Sequence, residues 1–113
     1  MEKASESSTV FDLLHPQIGS LLRERGILEP TEPQAKVIPF ILEGKDVLLL
    51  SPTGTGKTEA AIFPIFHKIL TFHPETVSTL FITPLRALNR DMLERLIRYG
   101  KDLGIRVQVR PAL

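Results

Sequence analysis

Residues 47–58 read Val47-Leu48-Leu49-Leu50-Ser51-Pro52-Thr53-Gly54-Thr55-Gly56-Lys57-Thr58. Val47 to Leu50 is an unbroken apolar run bounded by Lys45-Asp46 and Ser51-Pro52, the pattern of a strand buried on both faces of a parallel sheet. From Lys57 to Leu70 the chain is apolar nearly all round (Ala60, Ala61, Ile62, Phe63, Ile65, Phe66, Ile69), which predicts a buried helix with a kink at Pro64. A glycine-rich turn between such a strand and such a helix is the setting of a phosphate-binding loop. Its glycines let successive backbone N–H groups point at phosphate oxygens, and the helix adds its positive N-terminal end. Lys57 supplies a mobile charge for the β- and γ-phosphates, and the Thr58 hydroxyl suits Mg²⁺. The candidate nucleoside triphosphate site is therefore Thr53, Gly54, Thr55, Gly56, Lys57 and Thr58, with Lys57 and Thr58 as its catalytic pair and Thr58 as the metal ligand. Ser51 stands where the strict pattern asks for glycine, a small departure wherever the backbone needs no positive φ. The plainer reading is a loop that merely joins strand to helix.

Upstream, Ile18, Leu21 and Leu22 recur at helical spacing from Pro16 and stop near Gly26. After Glu29-Pro30-Thr31-Glu32-Pro33, Thr31 is a good N-cap and Pro33 a tolerated first-turn residue for a second helix carrying Ala35, Val37, Ile38, Ile41 and Leu42, ended by Gly44. Downstream, a second strand is predicted at Thr79 to Ile82. A helix over about Arg86 to Leu103 sets Leu88, Met92, Leu93, Leu96 and Ile97 on one face and Arg90, Glu94, Arg98 and Lys101 outward. A third strand starts at Ile105 and runs to Val109. Strand, helix, strand, helix, strand in this order predicts an α/β fold of the P-loop NTPase kind, a three-layer α/β/α arrangement on a parallel sheet.

The chain has 113 residues, room for one small domain, with 42% apolar and 24% charged content near globular averages. Net charge is +1 but unevenly divided: residues 1–85 hold 7 basic and 10 acidic side chains, residues 86–113 hold 7 basic and 3 acidic. That asymmetry hints at an anionic partner near the C-terminal third. Absence of cysteine excludes disulfides, thiolate metal sites and thiol catalysis, and fits a reducing compartment. The polar opening residues 1–9 carry no apolar stretch of a signal peptide, so a cytoplasmic protein without a membrane partner is expected. His15, His67 and His73 lack metal spacing and read as structural or surface residues.

Four segments together resemble a family. His15-Pro16, Glu29-Pro30-Thr31-Glu32-Pro33-Gln34, the loop from Ser51 to Thr58 running on into Glu59-Ala60-Ala61, and Ile82-Thr83-Pro84-Leu85-Arg86-Ala87-Leu88-Asn89 resemble superfamily 2 helicases of the DEAD/DEAH type, and within them the Large helicase-related group. The resemblance covers about Val10 to Val109. It implies a RecA-like domain, of which residues 10–113 are the N-terminal portion behind a tail of residues 1–9, and it implies ATP and Mg²⁺ as cofactors. It makes Gln34 the adenine reader of a Q motif, a role an amide suits because it both donates and accepts. Phe11 is the one aromatic upstream that could pack on adenine; a place in the core is the competing reading. Thr83-Pro84-Leu85-Arg86 resembles motif Ia, which implies that Pro84, Arg86 and Asn89 touch the phosphate backbone of single-stranded DNA or RNA, a salt-sensitive and sequence-independent contact.

Hydrolysis in this class needs an acidic pair to hold Mg²⁺ and activate water, and no Asp-Glu pair occurs in the chain. The expectation is thus an ATP-binding and nucleic-acid-binding part of an ATP-dependent helicase, ending before that pair and before a second RecA-like domain, and inactive by itself. Apolar strand edges left unpaired would make it aggregation-prone. A small P-loop kinase or metabolic NTPase is one alternative, disfavoured by the Gln34 and Thr83 to Asn89 segments. The other is a non-catalytic nucleotide-binding fragment.

Overall fold

A computed structural model of the chain describes residues 8–50, 56–76, 78–82 and 90–108. They fall into two compact units, Met1–His73 and Pro74–Leu113.

The first unit is helical. A short 3-10 helix, Val10–Leu13, opens it, held by Thr9: the Thr9 hydroxyl accepts from the Phe11 N–H at 3.1 Å and the Asp12 carboxylate accepts from the Thr9 N–H at 3.1 Å. Helix α1 spans Pro16–Glu24 and buries Ile18, Leu21 and Leu22, the three residues whose spacing predicts it. Helix α2 spans Glu32–Leu42 behind the N-cap Thr31. Helix α3 spans Lys57–Phe72 and continues through Pro64. α2 packs chiefly on α3, and both α1 and the 3-10 helix close over this pair. The core between them is Phe11, Leu14, Ile18, Leu22, Val37, Ile38, Ala60, Ile62, Phe63, Phe66 and Leu70. Phe11 meets Phe63 edge-on, with ring centroids 6.3 Å apart and planes at 78°. Gly44 ends α2 as expected: its N–H reaches Ile41 O at 2.9 Å and the Lys45 N–H reaches Phe40 O at 3.1 Å, a closing pattern that turns the chain into residues 45–50.

The sheet is where structure and sequence part. Among the described residues none lies in a strand: Val47–Leu50, Thr79–Ile82 and the described part of Ile105–Val109 carry neither helix nor ladder. Leu48, Leu50, Leu80 and Ile82 are 79–87% exposed. The physical reason is that a strand has no hydrogen bonds of its own and exists only through lateral neighbours, whereas a helix closes its bonds within four residues.

In the second unit, helix α4 spans Arg90–Leu103, and Leu96, Tyr99, Gly100 and Leu103 are buried. Arg90, Glu94, Arg98 and Lys101 point outward as expected. Ile97 does not join the buried face; it is 43% exposed, and Tyr99 and Leu103 take the centre of the apolar stripe instead. Residues 86–89, where this helix is expected to begin, lie outside the described residues. The chain leaves α4 at Gly104 and folds back, the Ile105 N–H donating to Gly100 O at 2.7 Å. A Cβ on Gly100 would lie 2.6 Å from Ile105 O and 2.7 Å from Val107 Cγ2. Two effects oppose each other in Gly100→Ala: better helix propensity gains about 1 kcal/mol, and overpacking costs about 1–3 kcal/mol. The nearest atom is backbone and cannot swing aside, so the clash wins. Gly100→Ala is expected to lower the urea midpoint of this unit, followed by near-ultraviolet dichroism of Tyr99.

No helix among the described residues is long and apolar enough to cross a membrane.

Candidate functional site

The start of α3 and the start of α2 meet through one side chain. Gln34 sits in the first turn of α2 and is 6% exposed. Its Oε1 accepts from the Thr31 N–H at 3.0 Å while the Gln34 N–H donates to the Thr31 hydroxyl at 3.3 Å, a reciprocal capping box. Its Nε2 then donates across 22 residues of sequence to Gly56 O at 3.3 Å. The same carbonyl accepts the Ala60 N–H at 3.0 Å, the first turn of α3.

Gly56 is glycine for two independent reasons. Its φ is +78°, the left-handed region. A Cβ there would stand 2.4 Å from Gln34 Nε2 and 3.4 Å from the Thr31 hydroxyl. The backbone of the loop thus lies directly against the capped end of α2. No side chain caps α3, in contrast to the Thr31 box of α2 and His15 of α1, so its positive end is not closed by a protein carboxylate or hydroxyl at the cap position. Lys57 and Thr58 occupy its first two positions and are half-buried. Such a helix end, approached by a left-handed glycine and followed by lysine and a hydroxyl, can hold a phosphate anion.

The other sequence-identified positions distribute as follows. Phe11 is in the core, 7% exposed and packed on Phe63. Thr53, Gly54 and Thr55 lie outside the described residues, as do Pro84, Arg86 and Asn89. Of the histidines, His15 caps α1, its Nδ1 accepting the Gln17 N–H at 3.1 Å. His67 is half-buried on α3 with a pKa below the ordinary 6.5, chiefly from burial and then from the neighbouring His15 and Lys68. His73 ends α3 with φ +52°. The Thr31 contribution was legible as a cap only; the Gln34 to Gly56 bond has no signal in sequence spacing.

Known proteins share this arrangement of segments. The chain is 42% identical over 88 residues to an ATP-dependent RNA helicase CshA of Limosilactobacillus reuteri, which covers 78% of this chain and 18% of that protein. It is 33% identical over 115 residues to a putative DEAD-box ATP-dependent RNA helicase 29 of Arabidopsis thaliana, covering 99% of this chain and 13% of the relative. It is 40% identical over 84 residues to a probable ATP-dependent RNA helicase DDX49 of Mus musculus, covering 74% and 17%. The chain therefore spans less than a fifth of the length of these relatives. No solved structure matches it. The sequence model of DEAD/DEAH box helicases lies on residues 31–111, beginning at Thr31 and taking in Gln34, Gly56 and Lys57. A chain matched over that stretch, with its Q-motif glutamine bonded to its phosphate-loop glycine, belongs to the DEAD/DEAH box helicases and with them to the RecA-like P-loop fold.

Proposed function

We propose that this chain is the adenosine-triphosphate-holding front part of the first motor domain of an ATP-dependent RNA helicase. The observation that carries the reading is the bond from Gln34 Nε2 to Gly56 O. It puts a buried amide, suited to the donor and acceptor edge of adenine, on the same backbone that begins the phosphate-side helix. The fit of the site to a nucleotide rests on that cradle: a Cβ at Gly56 would fill it.

In this reading the α3 N-terminus, Gly56 and Lys57 hold the phosphates together with Thr53, Gly54 and Thr55, and the Thr58 hydroxyl holds Mg²⁺. The metal would supply charge neutralisation between the β- and γ-phosphates. Gln34 orients the base, while Phe11, packed on Phe63, backs the same side of the site. Pro84, Arg86 and Asn89 contact the phosphate backbone of single-stranded nucleic acid. RNA is favoured over DNA because the relatives carry that name. The parallel sheet, with Val47–Leu50 central, and the Large helicase-related group within the family belong to the same proposal. The group assignment rests on residues 29–34 and 82–89, and a cytoplasmic setting on the lack of cysteine.

Lys57→Ala tests it. Losing one charge-assisted contact to phosphate costs about 1.5–3 kcal/mol, so affinity for a fluorescent ATP analogue is expected to fall about tenfold to hundredfold. An unchanged affinity would remove the phosphate-loop assignment. Steady-state ATP turnover by the 113-residue chain would contradict the reading that the hydrolytic acidic pair lies elsewhere in the parent.

A further inference from the structure

α1 rests on α3, and each of the two helices brings a histidine. His15 is the N-cap of α1 and uses Nδ1 as the acceptor for the Gln17 N–H at 3.1 Å. Its neutral ring must then carry hydrogen on Nε2, and charging the ring adds a proton at Nδ1, where the cap needs a lone pair. A cation at a helix N-terminus also opposes the helix dipole. His67 lies on the buried side of α3, and its Nδ1 is buried with no hydrogen-bond partner. An N–H formed there would have no acceptor and would carry the desolvation cost of an unmade bond.

The groups bearing on the His67 charge are His15 and Lys68, both cationic when protonated. The carboxylates of the surrounding elements are engaged elsewhere: Asp12 accepts the Thr9 N–H and Glu32 pairs with Lys36 at 3.1 Å. Arg23 and Glu24 stand at the far end of α1.

We propose that His15 and His67 form an acid-sensitive latch, which holds α1 on α3 while both imidazoles are neutral and releases it when they charge. The sign follows from the lowered pKa of His67: stability is complete above 6.5 and falls as pH drops from there, because the unfolded chain takes up the proton first. α1 leads through Gly26 directly into Thr31 and Gln34, so release loosens the capped end of α2. That last consequence, weaker nucleotide binding in acid, rests on the proposed function; the latch does not.

The test uses the full chain at pH 7.5 and 5.5, with urea midpoints and the amide resonance of Gln17. Loss of the cap alone is expected to lower the folded-to-unfolded ratio of the wild type about fivefold between the two pH values, with the Gln17 amide moving in step. The double variant His15→Asn with His67→Leu keeps a cap that does not titrate, and its ratio is expected to change less than twofold. Equal pH dependence in wild type and double variant, or a stationary Gln17 amide in the wild type, would overturn the latch. The amide titration needs no variant, so a poorly folding substitution does not blunt the test. A fluorescent ATP analogue measured alongside separates the two ideas: no binding at pH 7.5 sinks the nucleotide reading and leaves the latch to be judged on Gln17.

Discussion

Gly56→Ala is expected to reduce nucleotide affinity about hundredfold and to destabilise the first unit by about 3 kcal/mol. A left-handed conformation costs a non-glycine residue about 1–2 kcal/mol, and φ here is +78°. The new Cβ would also stand 2.4 Å from Gln34 Nε2, closer than real contacts allow. Gln34 must swing away, giving up its bonds to Gly56 O and to the Thr31 N–H, each worth about 1 kcal/mol. Gln34→Ala makes the clash vanish, which yields a second, sharper expectation. The double variant should be more stable than the two single losses add up to, with a coupling of about 1 kcal/mol or more. Urea unfolding of the four proteins measures it, and strict additivity would mean that the two side chains do not meet.

The other large effect is expected at Phe63, which is 1% exposed and receives Phe11 edge-on. Truncating a buried phenylalanine to alanine costs about 3–5 kcal/mol, against a total of about 5–15 kcal/mol for an ordinary domain. The first unit is small and helical, so Phe63→Ala is expected to abolish its cooperative thermal transition by far-ultraviolet dichroism. Phe11→Ala should move in the same direction by less, since α3 still packs on α2. A sharp transition persisting in Phe63→Ala would show that the α2 and α3 contact alone suffices.

These expectations divide by what could be read from the chain alone. Thr31, Gly44 and the periodic apolar residues of α1 and α2 fixed those helices before any packing was known. Helical bonds, caps and glycine stops all act within about five residues. The type of the loop at Ser51 to Thr58 was equally legible, because phosphate chemistry demands glycine, lysine and a hydroxyl side by side. Phe11 could be read as a base-stacking or a core residue, and its place against Phe63 was decided by which hydrophobic surface α3 offered. On α4 the sequence allowed Ile97 or Tyr99 to complete the buried stripe; the fold-back of residues 105–108 chose Tyr99.

The three predicted strands show the limit most plainly. Their apolar runs are real, yet Leu48, Leu50, Leu80 and Ile82 stay exposed, since a strand's stability lives in its neighbours and not in its own sequence. By itself the sequence determined the helices, their caps and a phosphate-loop chemistry. Only the tertiary structure decided that Gln34, 22 residues upstream, closes on Gly56, because a hydrogen bond across that distance depends on how α2 packs on α3.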